Sequence, residues 1–356
     1  MKVLIAFDWY LKLVVEGQSE ALTDLGHEVR LLTRDHALEF AGDFDERAAI
    51  LERLALRGIR TWQLPGRRYG IETRRAVARV AREVSAWGPD VVSVHENTDP
   101  RMRIVAGRRP VLYTIHDPEP HPGANRHKFY EWATTQLWLR TSTRLVIHGE
   151  ALHQQLPDWV ARRGRPVCVV PHGIAVADEP SPVPPAENVL LFGRLEPYKG
   201  ISILVDAMEH VWRERPQARL VIAGHGPSAD EVPDHPGIDF RRGYVPESAV
   251  AGLLESTRVA VLPYVQASQS GVGLLTIARG IPTIVSRTGA LTELAPTERY
   301  VVPPNDPIAL ARAVLEALDA DLAERQRVLA FARDHFSWHA VAMRYVDVYE
   351  SAMARR

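Results

Sequence analysis

The stretch that decides the fold is Val189-Leu-Leu-Phe-Gly-Arg-Leu-Glu-Pro-Tyr-Lys-Gly200. Its four opening apolar residues predict a buried parallel strand, which Gly193 ends in a tight turn. Arg194 and Lys199 follow in the connection, and helical spacing resumes after it. A strand, a loop with two cations and a helix N-terminus can together hold an anion at the edge of a parallel sheet. An ordinary loop with solvated charges fits the same pattern. The stretch is not a Walker phosphate-binding loop, because the sequence Gly-x-x-x-x-Gly-Lys-Ser/Thr is absent.

Length and composition limit the class of protein. A chain of 356 residues favours two domains, and a net charge of −1 gives no reason to expect nucleic acid. Cys168 is the only cysteine and stands in an apolar run, so disulfides and cysteine-rich metal sites are excluded. The segment Met1–Phe7 predicts a first strand rather than a signal peptide. No segment approaches the roughly 18 apolar residues of a membrane span, so we expect a cytoplasmic protein.

Apolar strands alternate with amphipathic helices along most of the chain. This alternation predicts an α/β protein with parallel sheets covered by helices, and with ligands beyond the carboxyl ends of the strands. The alternation stops in the proline-rich segment 177–187, which we interpret as a linker between domains. The expected domains are residues 1–176 and 188–335, with a last helix within 336–356 returning to the first domain.

Short motifs spread over most of the chain resemble the glycosyltransferases of family 4, which are retaining enzymes of the GT-B architecture. These motifs are Gly26-His-Glu-Val29, Tyr113-Thr-Ile-His-Asp117, Pro171-His-Gly173, Gly193-Arg-Leu-x-x-x-Lys-Gly200, Ala223-Gly-His-Gly-Pro227, Gly243-Tyr-Val-Pro246, Pro263-Tyr264, Gly280-Ile-Pro282 and Phe336-Ser-Trp338. Each is weak alone, whereas their order and spacing together are specific. The resemblance implies two Rossmann-like β/α/β domains that face each other across a cleft, with acceptor bound by the first and donor by the second.

The resemblance assigns Arg194 and Lys199 to the donor diphosphate. Fixed cations stabilise the negative charge that grows on the leaving diphosphate, so no cofactor and no divalent metal are required. The spacings Asp43-x-Asp45 and Asp319-x-Asp321 could suggest a metal site. Both fall in predicted helices, and we interpret them as solvated faces.

The segment from Ala267 to Ala278 departs from the family pattern. The family has two glutamates eight positions apart, and Ala267 and Leu275 occupy those positions here. The small residues that follow can bring backbone N–H groups to a phosphate, although a glycine-rich turn that only caps a helix has the same sequence. We expect altered donor contacts, with Ser270 or Thr276 as a hydroxyl partner.

Other donor contacts follow from the same resemblance. Together the expected donor residues are Gly224, Gly226, Tyr244, Val245, Ser268, Gln269, Ser270, Gly271, Val272 and Thr276. The glycines near residue 224 also fit a loose dinucleotide fingerprint, but the acidic residue that such a site needs is not clearly placed.

Histidines follow several predicted strands of the first domain. The resemblance places His116 close to the transferred sugar, as a catalytic residue. His95, His121, His148 and His172 stand at similar positions, and most of them fit an ordinary structural role. In the first connection, Trp9 and Tyr10 replace the usual glycine pair and could stack on a sugar or simply pack the loop.

The function that these patterns predict is transfer of a sugar from a nucleoside diphosphate sugar to an acceptor hydroxyl, with retained anomeric configuration. We expect the acceptor to be a small molecule, a glycan or a lipid-linked molecule. The alternatives are a phosphorylase or epimerase of the same architecture, and a nucleotide-sugar-binding protein without transfer activity. The segment Arg53–Arg82 holds nine arginines and one acid, which could give weak contact with an anionic membrane or merely form a solvated face.

Overall fold

The computed structural model describes residues 1–8, 17–35, 44–66, 69–96, 99–116, 128–156, 158–161, 164–267 and 269–354. The chain forms two compact units. The first comprises Met1–Gly173 and Trp338–Arg356, and the second comprises Ile174–Ser337. Each unit has its own sheet, and each is built from alternating strands and helices as the sequence predicts.

The first unit contains a seven-stranded parallel sheet in the order β3-β2-β1-β4-β5-β6-β7. Its strands are β1 (Lys2–Ala6), β2 (Glu28–Arg34), β3 (Arg60–Leu64), β4 (Val91–His95), β5 (Val111–Thr114), β6 (Arg144–Ile147) and β7 (Val167–Val169). The helices between them are α1 (Glu20–Asp24), α2 (Phe44–Leu56), α3 (Ile71–Trp87), α4 (Met102–Ala106), α5 (Lys128–Thr141) and α6 (Asp158–Ala161). The strand order reverses between β1 and β4, which is where such sheets bind ligands.

The second unit contains a six-stranded parallel sheet in the order β10-β9-β8-β11-β12-β13. Its strands are β8 (Asn188–Phe192), β9 (Arg219–Gly224), β10 (Ile238–Arg242), β11 (Val259–Leu262), β12 (Thr283–Ser286) and β13 (Val301–Val302). Its helices are α7 (Ile201–Glu214), α8 (Glu247–Glu255), α9 (Gly271–Ile277), α10 (Pro307–Leu318) and α11 (Leu322–Phe336). Here the order reverses between β8 and β11, so the stretch Val189–Gly200 lies at the switch point of the second sheet.

The helices are held on the sheets by apolar faces. In α7 the buried side chains recur at helical spacing, from Ile201 through Leu204 to Met208, and they join the core around β8. The last helix, α12 (Trp338–Met353), contributes Val341, Tyr345 and other apolar side chains to the core of the first unit. The chain therefore returns to the first unit after completing the second.

Some local elements depart from the regular alternation of strands and α-helices. Residues Glu150–Gln155 form a 3-10 helix, which the short α6 follows. Residues 17–19 form a π-helical turn that leads into α1. Helix α4 was not predicted, because five residues are too few to show a period.

The aspartates at 319 and 321 lie at helix ends rather than within a helix. Asp319 follows α10 and forms an ion pair with Arg215, with 2.6 Å between Oδ1 and Nη2. Asp321 caps α11, where its side chain accepts a hydrogen bond from the backbone N–H of Glu324. Both carboxylates thus have local structural partners. Asp43 lies outside the described residues, as do Trp9, Tyr10 and His121.

The predicted linker 177–187 stays a prediction, although part of it packs within the second unit. The backbone N–H groups of Ala177 and Ser181 donate to the carbonyl oxygens of Ala278 and Arg279. Among the described helices, none has the length and apolar character needed to cross a bilayer.

Candidate functional site

Lys199 lies buried at the carboxyl edge of the second sheet. It ends the 3-10 turn Pro197–Lys199 after β8, and only 4% of the residue is exposed. Its Nζ donates to the carbonyl oxygen of Phe192 at 3.1 Å and lies 5.3 Å from the ring centre of Tyr264. Burial lowers the pKa of Lys199 from 10.5 to about 8, and Glu196 opposes this shift. A buried ammonium group in this setting is strongly suited to an anionic ligand.

Arg194 takes a different position from Lys199. Its side chain is 74% exposed, and its Nε lies 2.6 Å from a carboxylate oxygen of Glu196. An exposed ion pair of this kind contributes little to stability. The guanidinium group is therefore able to exchange Glu196 for another anion, while Lys199 stays fixed.

Glycines allow the loops after β8 and β9 to approach closely. A Cβ atom on Gly224 would lie 1.9 Å from the carbonyl oxygen of Gly193, and one on Gly226 would lie 2.3 Å from that of Leu195. The backbone N–H of Leu195 donates to the carbonyl oxygen of His225 at 2.7 Å. These loops are thus joined backbone to backbone, in a conformation that larger residues would prevent.

The segment after β11 forms the other side of this edge. Ser270 is the N-cap of α9, and its hydroxyl accepts a hydrogen bond from the backbone N–H of Gly273 at 3.2 Å. Gln269 precedes it, Gly271 is exposed, and the side chain of Val272 is close to Gly193. Ser268 lies outside the described residues.

Thr276 is fully buried within α9. Its hydroxyl donates to the carbonyl oxygen of Gly273 at 2.9 Å and accepts from the hydroxyl of Thr283 at 2.8 Å. These contacts use the hydroxyl inside the domain, so we assign it no ligand contact.

Tyr244 and Val245 follow β10 at the same carboxyl edge. Tyr244 is 77% exposed, and its ring centre lies 6.4 Å from that of His225. The backbone N–H of Gly243 donates to the carbonyl oxygen of Gly224, which fixes the start of this loop beside the β9 loop. The described donor-site candidates other than Thr276 therefore lie at the carboxyl ends of four neighbouring strands, β10, β9, β8 and β11, either at the strand end, in the loop that follows or in the first turn of α9.

Four histidines gather at the carboxyl edge of the first sheet. His95 ends β4, and His116, His148 and His172 follow β5, β6 and β7. Their strand-end positions were visible in the sequence, but the distances between their rings were not. The ring centres of His148 and His172 are 3.7 Å apart, and those of His116 and His148 are 4.7 Å apart.

His116 is enclosed by this histidine cluster. Its Nε2 lies 3.1 Å from Nδ1 of His95, and its Nδ1 lies 3.1 Å from Nε2 of His148. Its backbone N–H donates to the carboxylate of Glu96 at 2.8 Å. Burial, followed by the neighbouring histidines, lowers the pKa of His116 well below its usual value. A hydrogen bond from this ring to a sugar would require one of the imidazole contacts to break.

A buried charged cluster at the switch point of the first sheet was missed by the sequence analysis. Asp8 follows β1, and one of its carboxylate oxygens lies 2.9 Å from Nε of Arg34 and accepts from the backbone N–H of Asp99 at 2.9 Å. Asp99 in turn binds Arg101. Burial raises the pKa of Asp8 to about 6, helped by Asp99 and opposed by Arg34. The position of Asp8 directly after the first strand was the only sequence signal.

The second missed residue is Tyr264. It is buried, and burial raises the pKa of its hydroxyl, which also bonds the side chain of Ser270. Its ring lies beside the Lys199 ammonium group and so links the β8 loop to the β11 loop. The sequence motif contained this residue, but only the packing shows its contact with Lys199.

Comparisons with known proteins agree with this architecture. A family model described as Glycosyltransferase Family 4 matches residues 13–178, and one described as Glycosyl transferases group 1 matches residues 186–320. The structure of Anabaena HepE in complex with UDP and glucose has a TM-score of 0.66 and 16% identity, covering 99% of this chain and 100% of that one. Both sheets and their helices therefore have the GT-B fold that the motifs predicted.

Two curated relatives come from Mycobacterium tuberculosis. A glycogen synthase is 28% identical over 295 residues, which cover 75% of this chain and 70% of that protein. A GDP-mannose-dependent alpha-(1-6)-phosphatidylinositol dimannoside mannosyltransferase is 34% identical over 157 residues, which cover 42% of this chain and 40% of that protein. The chain belongs to the family 4 glycosyltransferases, and it is a glycosyltransferase.

Proposed function

We propose that this glycosyltransferase moves a hexosyl group from a nucleoside diphosphate sugar to an acceptor hydroxyl, with retained anomeric configuration and without a divalent metal. The second unit binds the donor, and the first unit binds the acceptor. The observation that carries the proposal is the buried ammonium group of Lys199 at the switch point of the second sheet, beneath Tyr264.

The charge of Lys199 accounts for donor recognition. An ammonium group has three N–H donors, and within the described part of the chain its hydrogen-bond acceptor is the carbonyl oxygen of Phe192. The remaining donors are available to the diphosphate. Arg194 adds a second cation by leaving Glu196, and the glycines after β9 allow the donor to approach the backbone.

The reaction breaks the bond between the anomeric carbon and the diphosphate oxygen, and it forms a bond from that carbon to the acceptor oxygen. The acceptor proton goes to the departing phosphate on the same face of the sugar, which accounts for retention. The fixed charges of Lys199 and Arg194 stabilise the negative charge that accumulates on the diphosphate as the bond breaks. No protein nucleophile is needed in this scheme.

The names of the relatives narrow the donor and acceptor classes. One relative uses GDP-mannose, and the HepE structure holds UDP and glucose, so the proposed donor is a nucleoside diphosphate hexose. The name of one relative refers to glycogen, which is a glycan, and the name of another refers to phosphatidylinositol dimannoside, which is a glycolipid. A glycan or lipid-linked glycan therefore fits the acceptor better than a nucleic acid.

Membrane contact through the Arg53–Arg82 segment stays a prediction. Arg57 pairs with Glu20 and Asp24, and Arg53 lies 3.8 Å from Glu20. These local ion pairs reduce the positive charge available to a lipid surface.

Calorimetry with UDP, GDP and dTDP tests the donor site. We expect Lys199→Ala to weaken binding of the preferred nucleoside diphosphate by about 1.5 to 3 kcal/mol, the range for a hydrogen bond to a charged group. Arg213→Ala, which removes an exposed cation from α7, is the matched control. Unchanged affinity in Lys199→Ala would place the anion site elsewhere.

Product analysis tests the chemistry. NMR of the glycoside should show the same anomeric configuration as the donor sugar, and inversion would refute the same-face scheme. Turnover should persist after chelation with EDTA. A loss of turnover that Mn²⁺ restores would refute metal independence.

A further inference from the structure

We propose that His116, His148 and His172 bind a single transition-metal ion of the kind that prefers imidazole ligands, such as Zn²⁺. Their ligand atoms all lie within 4.8 Å of one another. They line a cavity of about 20 Å³, which is room for one water molecule or one ion. This proposal does not rest on the proposed donor chemistry, because all three residues belong to the first unit.

The hydrogen bond at one end of the histidine cluster fixes the proton on His148. Its Nδ1 lies 2.8 Å from the carbonyl oxygen of Val170. A carbonyl oxygen only accepts, so Nδ1 carries the proton. In a neutral imidazole the other nitrogen, Nε2, then presents a lone pair. This nitrogen faces Nδ1 of His116 at 3.1 Å.

The hydrogen bonds at the other end fix the proton on His116. The amide nitrogen of Gln18 donates to the hydroxyl of Tyr349 at 2.9 Å, so the amide oxygen accepts from Nε2 of His95 at 3.0 Å. Nδ1 of His95 must then accept from Nε2 of His116. With its proton on Nε2, His116 also presents a lone pair from Nδ1.

Two lone pairs therefore face each other across 3.1 Å, between His116 and His148. With the Gln18 amide in this orientation, a cation between Nδ1 of His116 and Nε2 of His148 stabilises their contact. A tetrahedral ion with metal–nitrogen bonds of about 2.0 to 2.1 Å holds its ligand nitrogens roughly 3.4 Å apart, so a small shift admits an ion. An additional shared proton, or a reversed Gln18 amide, would satisfy the same contacts without a metal, and a binding measurement separates these cases.

The surroundings suit a metal site. His148 is oriented by Val170 and His116 by His95, as metal-binding imidazoles are commonly oriented by a second hydrogen bond. His172 stacks on His148, so its ring must turn before its nitrogen can coordinate the same ion. Because His172 is partly exposed, it forms the entry side of the site. Three neutral nitrogen ligands select Zn²⁺, Co²⁺, Ni²⁺ or Cu²⁺ over Mg²⁺ and Mn²⁺.

The test measures ion binding by the full chain without an added histidine tag. After chelator treatment and its removal, the protein is dialysed against Zn²⁺ or Co²⁺, and bound metal is counted by mass spectrometry. We expect one equivalent of either ion, with visible absorption bands of tetrahedral Co²⁺. His172→Ala should weaken binding at least tenfold, because even the loss of an outer partner weakens metal binding about 10- to 100-fold.

The matched control is His153→Ala, which removes an exposed histidine from the same unit. It should bind the ion as the unmodified chain does, and circular dichroism should show that both variants are folded. Absence of stoichiometric binding would overturn the proposal. Equal binding by His172→Ala, or equal binding of Mg²⁺, would overturn it as well.

Discussion

The affinity for a nucleoside diphosphate should fall as the pH rises from 7 to 9, because the buried Lys199 loses its proton in this range. Burial lowers its pKa to about 8 in the free protein. About nine tenths of the side chains are then charged at pH 7 and about one tenth at pH 9. If the charged form binds the diphosphate, its dissociation constant rises about tenfold, or roughly 1.4 kcal/mol.

Calorimetric titrations at pH 7, 8 and 9 measure this change, and Lys199→Arg is the control. A guanidinium group stays charged throughout this range, so its profile should be flat apart from titration of the ligand, which affects both proteins equally. A lysine of ordinary pKa would also give a flat profile up to pH 9. Parallel profiles for the two proteins would therefore refute the assignment of Lys199 as a buried, titrating anion-binding group.

Three stability predictions follow from buried groups of the second unit, each measured by chemical or thermal denaturation. Lys199→Met should stabilise the free protein at pH 7 by about 1 to 3 kcal/mol, because it removes a buried charge. Gly200→Ala should lower the unfolding midpoint, since its Cβ would lie 2.2 Å from the carbonyl oxygen of Pro263 at a positive φ of 66°; Gly252→Ala, where nothing lies within 4 Å, should not. Arg325→Ala should destabilise by about 2 to 4 kcal/mol, because the buried guanidinium group bonds three backbone carbonyl oxygens, and an equally stable variant would contradict this role.

The fold could be predicted from sequence because its signals are local. Apolar strands such as Val189–Phe192 and helices such as Ile201–Glu214 carry their burial pattern in consecutive residues. The pattern is less informative where elements are short or end. Residues Glu150–Gln155 form only a 3-10 helix, and Asp321, which was predicted to lie within a helix, instead caps α11.

The candidate site was only partly visible in the sequence. The motif named Lys199, but its low pKa and its contact with Tyr264 depend on segments joined by folding. Asp8 follows β1 and Arg34 ends β2, and their contact follows from the parallel pairing of these two strands. Strand-end positions thus predict which residues can meet, whereas distances and protonation come from the tertiary structure.

The Lys199 ammonium group is better explained by ligand binding than by stability. Its folded pKa of about 8 lies below the 10.5 of an exposed lysine, so the unfolded chain binds the proton more tightly. The contribution of Lys199 to the free energy of unfolding therefore rises as the pH increases from about 8 to 10.5. Below this range that contribution is lower by roughly 3 kcal/mol than above it. A methionine would fill much of the same space without this penalty. An anion that enters the site offsets the desolvation of the charge, so the cost to the free protein becomes binding energy for the diphosphate.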